Sequence, residues 1–380
     1  MNKIYADHAA TTKISETAKQ AMIACMDEYY GNPSSLHTVG QQAAEQLLKA
    51  RETVADLLGA DPKEIYFTSG GSEADNQAIL SAAYFGKKNG KNHIISTTFE
   101  HHAVLHTLKK LEKEGFEVTL LDVHENGIVT PEQVADAIRE DTALVTIMYA
   151  NNEIGTIQPI REIGAICRGK EVPFHTDAVQ AVGHIPMNVE KDNIDMLSLS
   201  GHKFRGPKGV GLLYARKGMP LVNVIEGGAQ ERGKRAGTEN LPAIVGMVAA
   251  LQEATENMEQ EAPRISAMRD QLIEGLSQIP RSRLNGDRER RLPGTVNFVF
   301  EGVEDEMLLL QLDARGIAAS SGSACTAGSL EPSHVLLALG LPTEIARGSL
   351  RLSIGAENTL EEMEYIIKSV KEVVAQLRGE

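Results

Sequence analysis

Four short segments of this sequence gather reactive or anion-binding residue types. The first is Ser69-Gly70-Gly71-Ser72-Glu73. Backbone N–H groups at a helix start, glycines that admit close approach and a hydroxyl donor make a phosphate cradle; the same residues also make an ordinary turn. The second is Asp177-Ala178-Val179-Gln180, whose carboxylate could cap a helix, bind a metal or pair with a cationic heterocycle. The third runs from Ser200 to Gly209, read SGHKFRGPKG. It looks like a nucleotide-binding loop, but that loop needs Gly-Lys followed by Ser or Thr, and here Pro207 intervenes and Gly209 follows Lys208. Lys203, with Ser200 and His202 just before it, instead suits an amine tied up as a Schiff base whose neighbours donate to a phosphate. The fourth, SSGSACTAGS from Ser320 to Ser329, holds one thiol, Cys325, in a run of very small residues.

Histidines and asparagines mark two further junctions. TTFEHHAVLH carries His101 and His102, and YANNEIG carries Asn151 and Asn152. Two adjacent histidines with no carboxylate or cysteine at ligand spacing make a poor metal site and read more simply as a cap or a core residue.

Chemistry of this kind needs a scaffold that gathers the loops. From about residue 60 to 216, β-rich runs alternate with helical patterns: EIYFT, HIIST, FEVTLLDV, ALVTIMYA, VPFHTDA, DMLSLS and GVGLLYA are the predicted strands. The alternation predicts a mostly parallel sheet covered by helices, with ligands bound beyond the carboxyl ends of its strands, where all these loops fall. Thr130 and Pro131 open one of the helices as cap and first-turn residue. A long helical region follows at about 240 to 279, then a polar loop, PRSRLNGDRERRLPG, whose arginines read as a solvated surface. The rest alternates strand and helix. The expected division is a large unit over 15–261 and a smaller α+β unit made of 1–14 and 262–380, which carries the cysteine segment.

Composition narrows the function classes. A formal net charge of −14 and no sustained basic stripe argue against direct nucleic-acid binding. No run of eighteen apolar residues and no apolar N-terminal core predict neither membrane insertion nor export, hence a cytoplasmic protein. Three widely spaced cysteines fit a reducing compartment; Cys25 and Cys167 lie on helical apolar patterns and read as core, which leaves Cys325.

A phosphate cradle, an acid and a lysine at one sheet edge are the minimum equipment for pyridoxal 5′-phosphate. Eight motifs in order, ADHAATT, FTSGGSEADNQAI, EHHAVL, NNEIGTIQPI, HTDAVQAVG, SGHKFRGPKGVG, GGAQERGKRAGTEN and SSGSACTAGSLEPSHVLLALG, resemble those of the cysteine desulfurases, class-V aminotransferase-like enzymes of the aspartate aminotransferase fold. The resemblance spans essentially the whole chain and implies a type I pyridoxal-phosphate fold, with a seven-stranded large unit and a smaller α+β C-terminal unit.

It also implies roles. Lys203 resembles the lysine that holds the cofactor covalently and then serves as acid and base, and Asp177 the acid that pairs with the pyridine nitrogen. His101 resembles the catalytic residue that stacks on the ring, and Gln180 the donor to its phenolic oxygen. Gly71, Ser72, Ser200 and His202 match phosphate-binding positions, and Thr238 one supplied by the other subunit of a homodimer. Arg351 matches the arginine that takes the substrate carboxylate, with Asn152 beside it. Cys325 resembles the nucleophile that takes sulfur from L-cysteine, leaving L-alanine and a persulfide, in a loop whose small residues let it swing between cofactor and acceptor. The acceptor implied is an iron–sulfur scaffold protein or a tRNA-thiolation enzyme. The chain ends soon after its last helix, where scaffold-serving relatives often continue, which brings the second acceptor forward. Ala6-Asp7 and Lys13 depart from the usual pattern, at positions expected to lie outside the chemistry. The competing readings are a selenocysteine lyase, another aminotransferase of this fold, or a non-catalytic thiol or metal carrier; the last leaves Lys203 and Asp177 without a purpose.

Overall fold

The computed structural model describes residues 3–322 and 332–380; Cys325 lies outside them. The strands are β1 (Ile4–Tyr5), β2 (Ile65–Thr68), β3 (His93–Thr97), β4 (Glu117–Leu121), β5 (Thr142–Thr146), β6 (Phe174–Asp177), β7 (Met196–Ser200), β8 (Gly211–Ala215), β9 (Ser282–Leu284), β10 (Thr295–Phe300), β11 (Ile317–Ala318) and β12 (Ser349–Ser353). The helices are α1 (Glu16–Glu28), α2 (Thr38–Leu58), α3 (Gly71–Lys88), α4 (His102–Lys113), α5 (Pro131–Ala137), α6 (Ile160–Gly169), α7 (Gln230–Gly233), α8 (Leu241–Ser277), α9 (Asp305–Ala314), α10 (His334–Ala338), α11 (Thr343–Ala346) and α12 (Leu360–Arg378).

Strands β3, β5, β6, β7 and β8 are buried along their whole length because helices cover both faces of the sheet. The sheet order is β2-β8-β7-β6-β5-β3-β4. Strands β4, β3, β5, β6 and β7 are mutually parallel, and β8 is antiparallel to both of its neighbours. Two reversals cancel, so β2 runs in the same sense as β7. The carboxyl ends of β2, β3, β6 and β7 therefore open onto one edge, and that edge is where the chemical loops lie.

Two larger cores hold the elements. One packs Phe67, Phe99, Ile147, Phe174 and Leu199 around the seven-stranded sheet. The other packs Ile4, Phe298, Phe300, Leu352, Ile366 and Val373 around the antiparallel sheet β12-β10-β9 and the parallel pair β1-β11. Helix α8 enters both, giving Ile244, Met247 and Leu251 to the first and Met268, Leu272 and Leu276 to the second, with Pro263 between. Thr130 caps α5 as expected, in a capping box with Gln133 and with a proline in the first turn.

The polar loop before β10 is less solvated than its arginines suggest. Ser282–Leu284 pairs with β10 as β9. Arg291 is buried and donates to the carbonyls of Ile154 (2.8 Å), Thr295 (3.2 Å) and Asn285 (2.6 Å). A guanidinium can go inside when carbonyls take its N–H groups, a pairing that a sequence does not reveal. Among the described residues no helix is long and apolar enough to cross a membrane.

Candidate active site

Asp177 is the last residue of β6, in the middle of the sheet. Its Oδ1 accepts from the Val179 N–H at 3.0 Å, which turns the carboxylate toward the edge and fixes it. Burial pushes this carboxyl above the usual range, while His101 and Lys203 pull it back down. The site thus holds a carboxylate short of water and dependent on nearby cations for its charge.

His101 is the N-cap of α4, its Nδ1 accepting from Ala103 N–H at 3.2 Å. The cap and the site reading therefore describe one residue: capping leaves Nδ1 as acceptor and pins the ring. Burial lowers its pKa, with Asp177 opposing. Ligand atoms of His101, Asp177 and Asp75 all lie within 4.8 Å of one another. Asp75 went unremarked in the sequence; it is buried on α3, its Oδ1 has no hydrogen-bond partner among the described residues, and burial followed by the charge of Asp177 raises its pKa well above normal.

Lys203 closes a single 3-10 turn, Gly201–Lys203, directly after β7. Its Nζ donates to the carbonyls of Ala9 (2.7 Å) and Ala10 (3.0 Å), and Gln180 Nε2 donates to Ala9 as well (3.0 Å). The N-terminal segment thus organises the site. It is brought there by the bridge between Asp7 and Ser353 and by hydrogen bonds from His8 N to Ser353 O (3.1 Å) and from Ala9 N to Ser353 Oγ (2.8 Å). Asp7, expected to lie outside the chemistry, contacts one of the expected site residues: its Oδ1 accepts from Arg351 Nη2 at 3.0 Å. Arg351 is buried on β12, also donates to Asn152 O (3.2 Å), and keeps a buried Nε that has no partner among the described residues. Arg351 thus meets Asn152 through the backbone carbonyl of the latter.

Helix α3 starts at the end of β2 with Gly70 as an N-cap that offers no side-chain acceptor. The register pairs both Thr68 and Ser200 with Gly211, so the first turn of α3 lies beside Ser200. Only glycine fits between them: a Cβ on Gly211 would lie 2.5 Å from Leu199 O and 2.6 Å from Gly70 Cα. A Cβ on Gly71 would come within 2.6 Å of Val179 Cγ2. His202 faces Thr11 Oγ1 through Nδ1 at 3.1 Å, and burial lowers its pKa to about 4, so it sits there as a neutral imidazole. Thr238 lines a cavity of about 260 Å³ with Ser69, Gly209 and Arg235.

Two more buried carboxyls border the site. Glu100 accepts from Thr97 Oγ1 (2.7 Å) and Met148 N (3.0 Å), and burial pushes its pKa to about 8. Glu153 follows Asn152 directly; burial pushes it to about 7, against a hydrogen bond from Ser333 and the charge of Arg351. Of the cysteines, Cys25 and Cys167 are both buried, and desolvation raises both thiols, Cys167 to about 12. Neither is suited to act as a thiolate.

A sheet edge with an acid, a lysine and a helix-start cradle defines a class before it defines an enzyme. The sequence model of the aminotransferase class-V family matches residues 4–366, and the chain belongs to that family. A cysteine desulfurase IscS from Methanosarcina thermophila is 53% identical over 99% of this chain and 93% of its own length. A solved NifS-like protein superposes with a TM-score of 0.92 at 40% identity, covering 98% of this chain and all of the other. A structure described as SspA in complex with cysteine superposes with a TM-score of 0.82 at 39% identity, over 94% of this chain and all of that one. The activity is that of a cysteine desulfurase dependent on pyridoxal phosphate. The residues present fit the group: the uncapped first turn of α3, walled by glycines that a Cβ would close, suits a phosphate, and buried Asp177 suits a ring nitrogen that must stay protonated.

Proposed function

We propose that Lys203, Asp177, His101 and Cys325 carry the desulfuration, with Arg351 and Asn152 taking the substrate. The observation that carries this reading is the convergence of Asp177, His101 and Lys203, from three different strand ends, within electrostatic reach of one another. When bound, pyridoxal phosphate supplies an electron sink that lets an amino acid Cα–H ionise. Gly71, Ser72, Ser200 and His202 would hold its phosphate, Asp177 would keep a proton on its ring nitrogen, His101 would stack on the ring, and Gln180 would donate to the phenolic oxygen. Lys203 Nζ moves the Cα proton. Arg351, already oriented by Asp7 and Asn152 O, offers to the substrate carboxylate its Nε, which has no partner among the described residues, a task for which a planar guanidinium is suited.

The Cys325 thiolate attacks the sulfur of L-cysteine. The new S–S bond forms as the substrate C–S bond breaks, and the carbon fragment, reprotonated, leaves as L-alanine. The persulfide then passes its outer sulfur to an acceptor protein, an iron–sulfur scaffold or a tRNA-thiolation enzyme. The enzyme works in the cytoplasm as a homodimer in which Thr238 completes the phosphate site of the other subunit, a reading that rests on the family resemblance of the RAGTEN segment. A division near residue 262 into a cofactor-holding unit and a sulfur-handling unit is supported by the two cores.

Cys325→Ser tests the reading. The variant is expected to keep the absorbance change that L-cysteine produces in the loaded enzyme while alanine and sulfide formation collapse together, because a hydroxyl forms no persulfide. Wild-type sulfur transfer by this variant would remove Cys325 from the mechanism.

A further inference from the structure

Glu153 makes contacts on both sides of the segment 323–331. Ser333 Oγ donates a short hydrogen bond to Glu153 Oε2. The same oxygen packs against Gly322 so closely that a Cβ there would collide with it, and that Cβ would lie 3.0 Å from Ser333 Cβ. Gly322 and Ser333 thus meet at one buried carboxyl group, although eleven positions separate them in sequence. Ser333 is also the N-cap of α10, accepting from Val335 N (3.1 Å) and Leu336 N (3.4 Å), so its hydroxyl is committed in both directions.

Glu153 itself is fixed from behind. Its N–H donates to Asn151 Oδ1 (2.8 Å) and its carbonyl accepts from Asn297 Nδ2 (3.2 Å) on β10. One residue earlier, Asn152 O accepts from Arg351, and two residues before Gly322, Ser320 exchanges backbone hydrogen bonds with Arg351 (2.7 and 3.2 Å). The group assigned to the substrate carboxylate and the points where the Cys325 segment enters and leaves are therefore built on one short piece of chain.

We propose that Glu153 is a positioning residue for sulfur transfer: it holds Gly322 and Ser333 together and so sets where the segment bearing Cys325 begins and ends relative to Arg351. The inference rests on the reading of Cys325 as the sulfur acceptor. Among the described residues Glu153 contacts Ser333 and Gly322, and it acts through them. Neither a cap for α10 nor solubility requires a carboxylate in this place, since Ser333 caps by itself and the group is buried.

The test uses the full-length holoenzyme. Glu153→Ala frees Ser333 and leaves Arg351 with Asp7 and the Asn152 carbonyl. It is expected to lower kcat by about 10- to 100-fold, the scale of a reacting group displaced by about an ångström, with KM for L-cysteine within about threefold of wild type. The cysteine-induced absorbance change should persist, and the rate of Cys325 alkylation by iodoacetamide, followed by mass spectrometry with buried Cys25 and Cys167 as references, should change severalfold. Glu153→Gln keeps an acceptor for Ser333 and should recover kcat to within about threefold, which also separates the effect from misfolding. Ser333→Ala should reproduce Glu153→Ala, and the double variant should be no worse than the worse single one, as for two halves of one contact. A Glu153→Ala enzyme with wild-type kcat and alkylation rate, a raised KM with unchanged kcat, or additive losses in the double variant would each overturn the proposal. The Cys325→Ser enzyme separates this from the reading beneath it. If it still transfers sulfur, that reading fails; if it is inactive while Glu153→Ala is not, only the role of Glu153 fails.

Discussion

Asp177 is costly to bury and useful for that reason. With burial pushing its proton on and His101 and Lys203 pushing it off, its charge depends on keeping cationic company, which a protonated ring nitrogen supplies. Asp177→Asn removes the charge and leaves the shape, so substrate deuterium exchange at Cα is expected to slow by roughly 10²-fold or more, the scale of a lost charge-stabilising group. An unchanged exchange rate would take Asp177 out of the role. Lys203 and Asp177 could be singled out in the sequence because they lie at or just after β-rich runs, beyond whose carboxyl ends ligands bind, whereas His101 read there as a cap or core residue and took its site role from the family resemblance. Asp75, Glu100 and Glu153 were not singled out. In SEADN, FEHH and NNEIG they read like any other acid, and only the packing of α3, β3 and β5 around them removes the water. Arg291 escaped for the same reason, since its carbonyl partners come from residues on either side and from Ile154.

At the scale of elements, the phosphate cradle depends on register. Thr68 and Ser200 share Gly211 as their pairing partner, so a strand slip of one residue would carry the first turn of α3 away from Ser200. Gly71 is the point to probe, because a methyl group there would meet Val179, two residues from Asp177. Gly71→Ala is expected to weaken pyridoxal phosphate binding about tenfold, equivalent to roughly 1.4 kcal/mol and within the usual cost of overpacking. Titration of the apoenzyme, followed by absorbance, reads this directly, and an unchanged affinity would mean that Val179 yields freely. The seven strands of the main sheet could be read from their composition. The parallel pair β1 and β11 could not be fixed in the same way: two residues pair with two others more than three hundred positions away, and nothing local encodes such a contact.

For the whole molecule, Glu100 ties stability to pH. Its carboxyl titrates near 4.5 in an ordinary setting and at about 8 in the fold, so between those values the folded state binds more protons than the unfolded one. The stability this contributes is fully present below about pH 4.5 and is lost as pH rises through about 8. Glu100→Gln replaces the neutral acid with a neutral amide. The melting temperature of wild type relative to the variant should therefore fall as pH is raised from about 5 to about 9. A gap that widens in favour of wild type at high pH would mean that Glu100 works as a carboxylate.

The carbonyl of Ala9 has a bearing on how the enzyme is made. Lys203 and Gln180 both lean on it, and it is held in place by Ser353. During synthesis the segment around Ala9 leaves the ribosome before Lys203, which follows β7. The strand that seats that carbonyl, β12, emerges later still. Until then the Ala9 carbonyl is not held in place, and Arg351 has not yet been made. A nascent chain could form its parallel sheet early and wait. Competence to anchor the cofactor and to admit an amino acid should thus arrive together, late and in one step, which spares the cell a half-built enzyme carrying a reactive aldehyde.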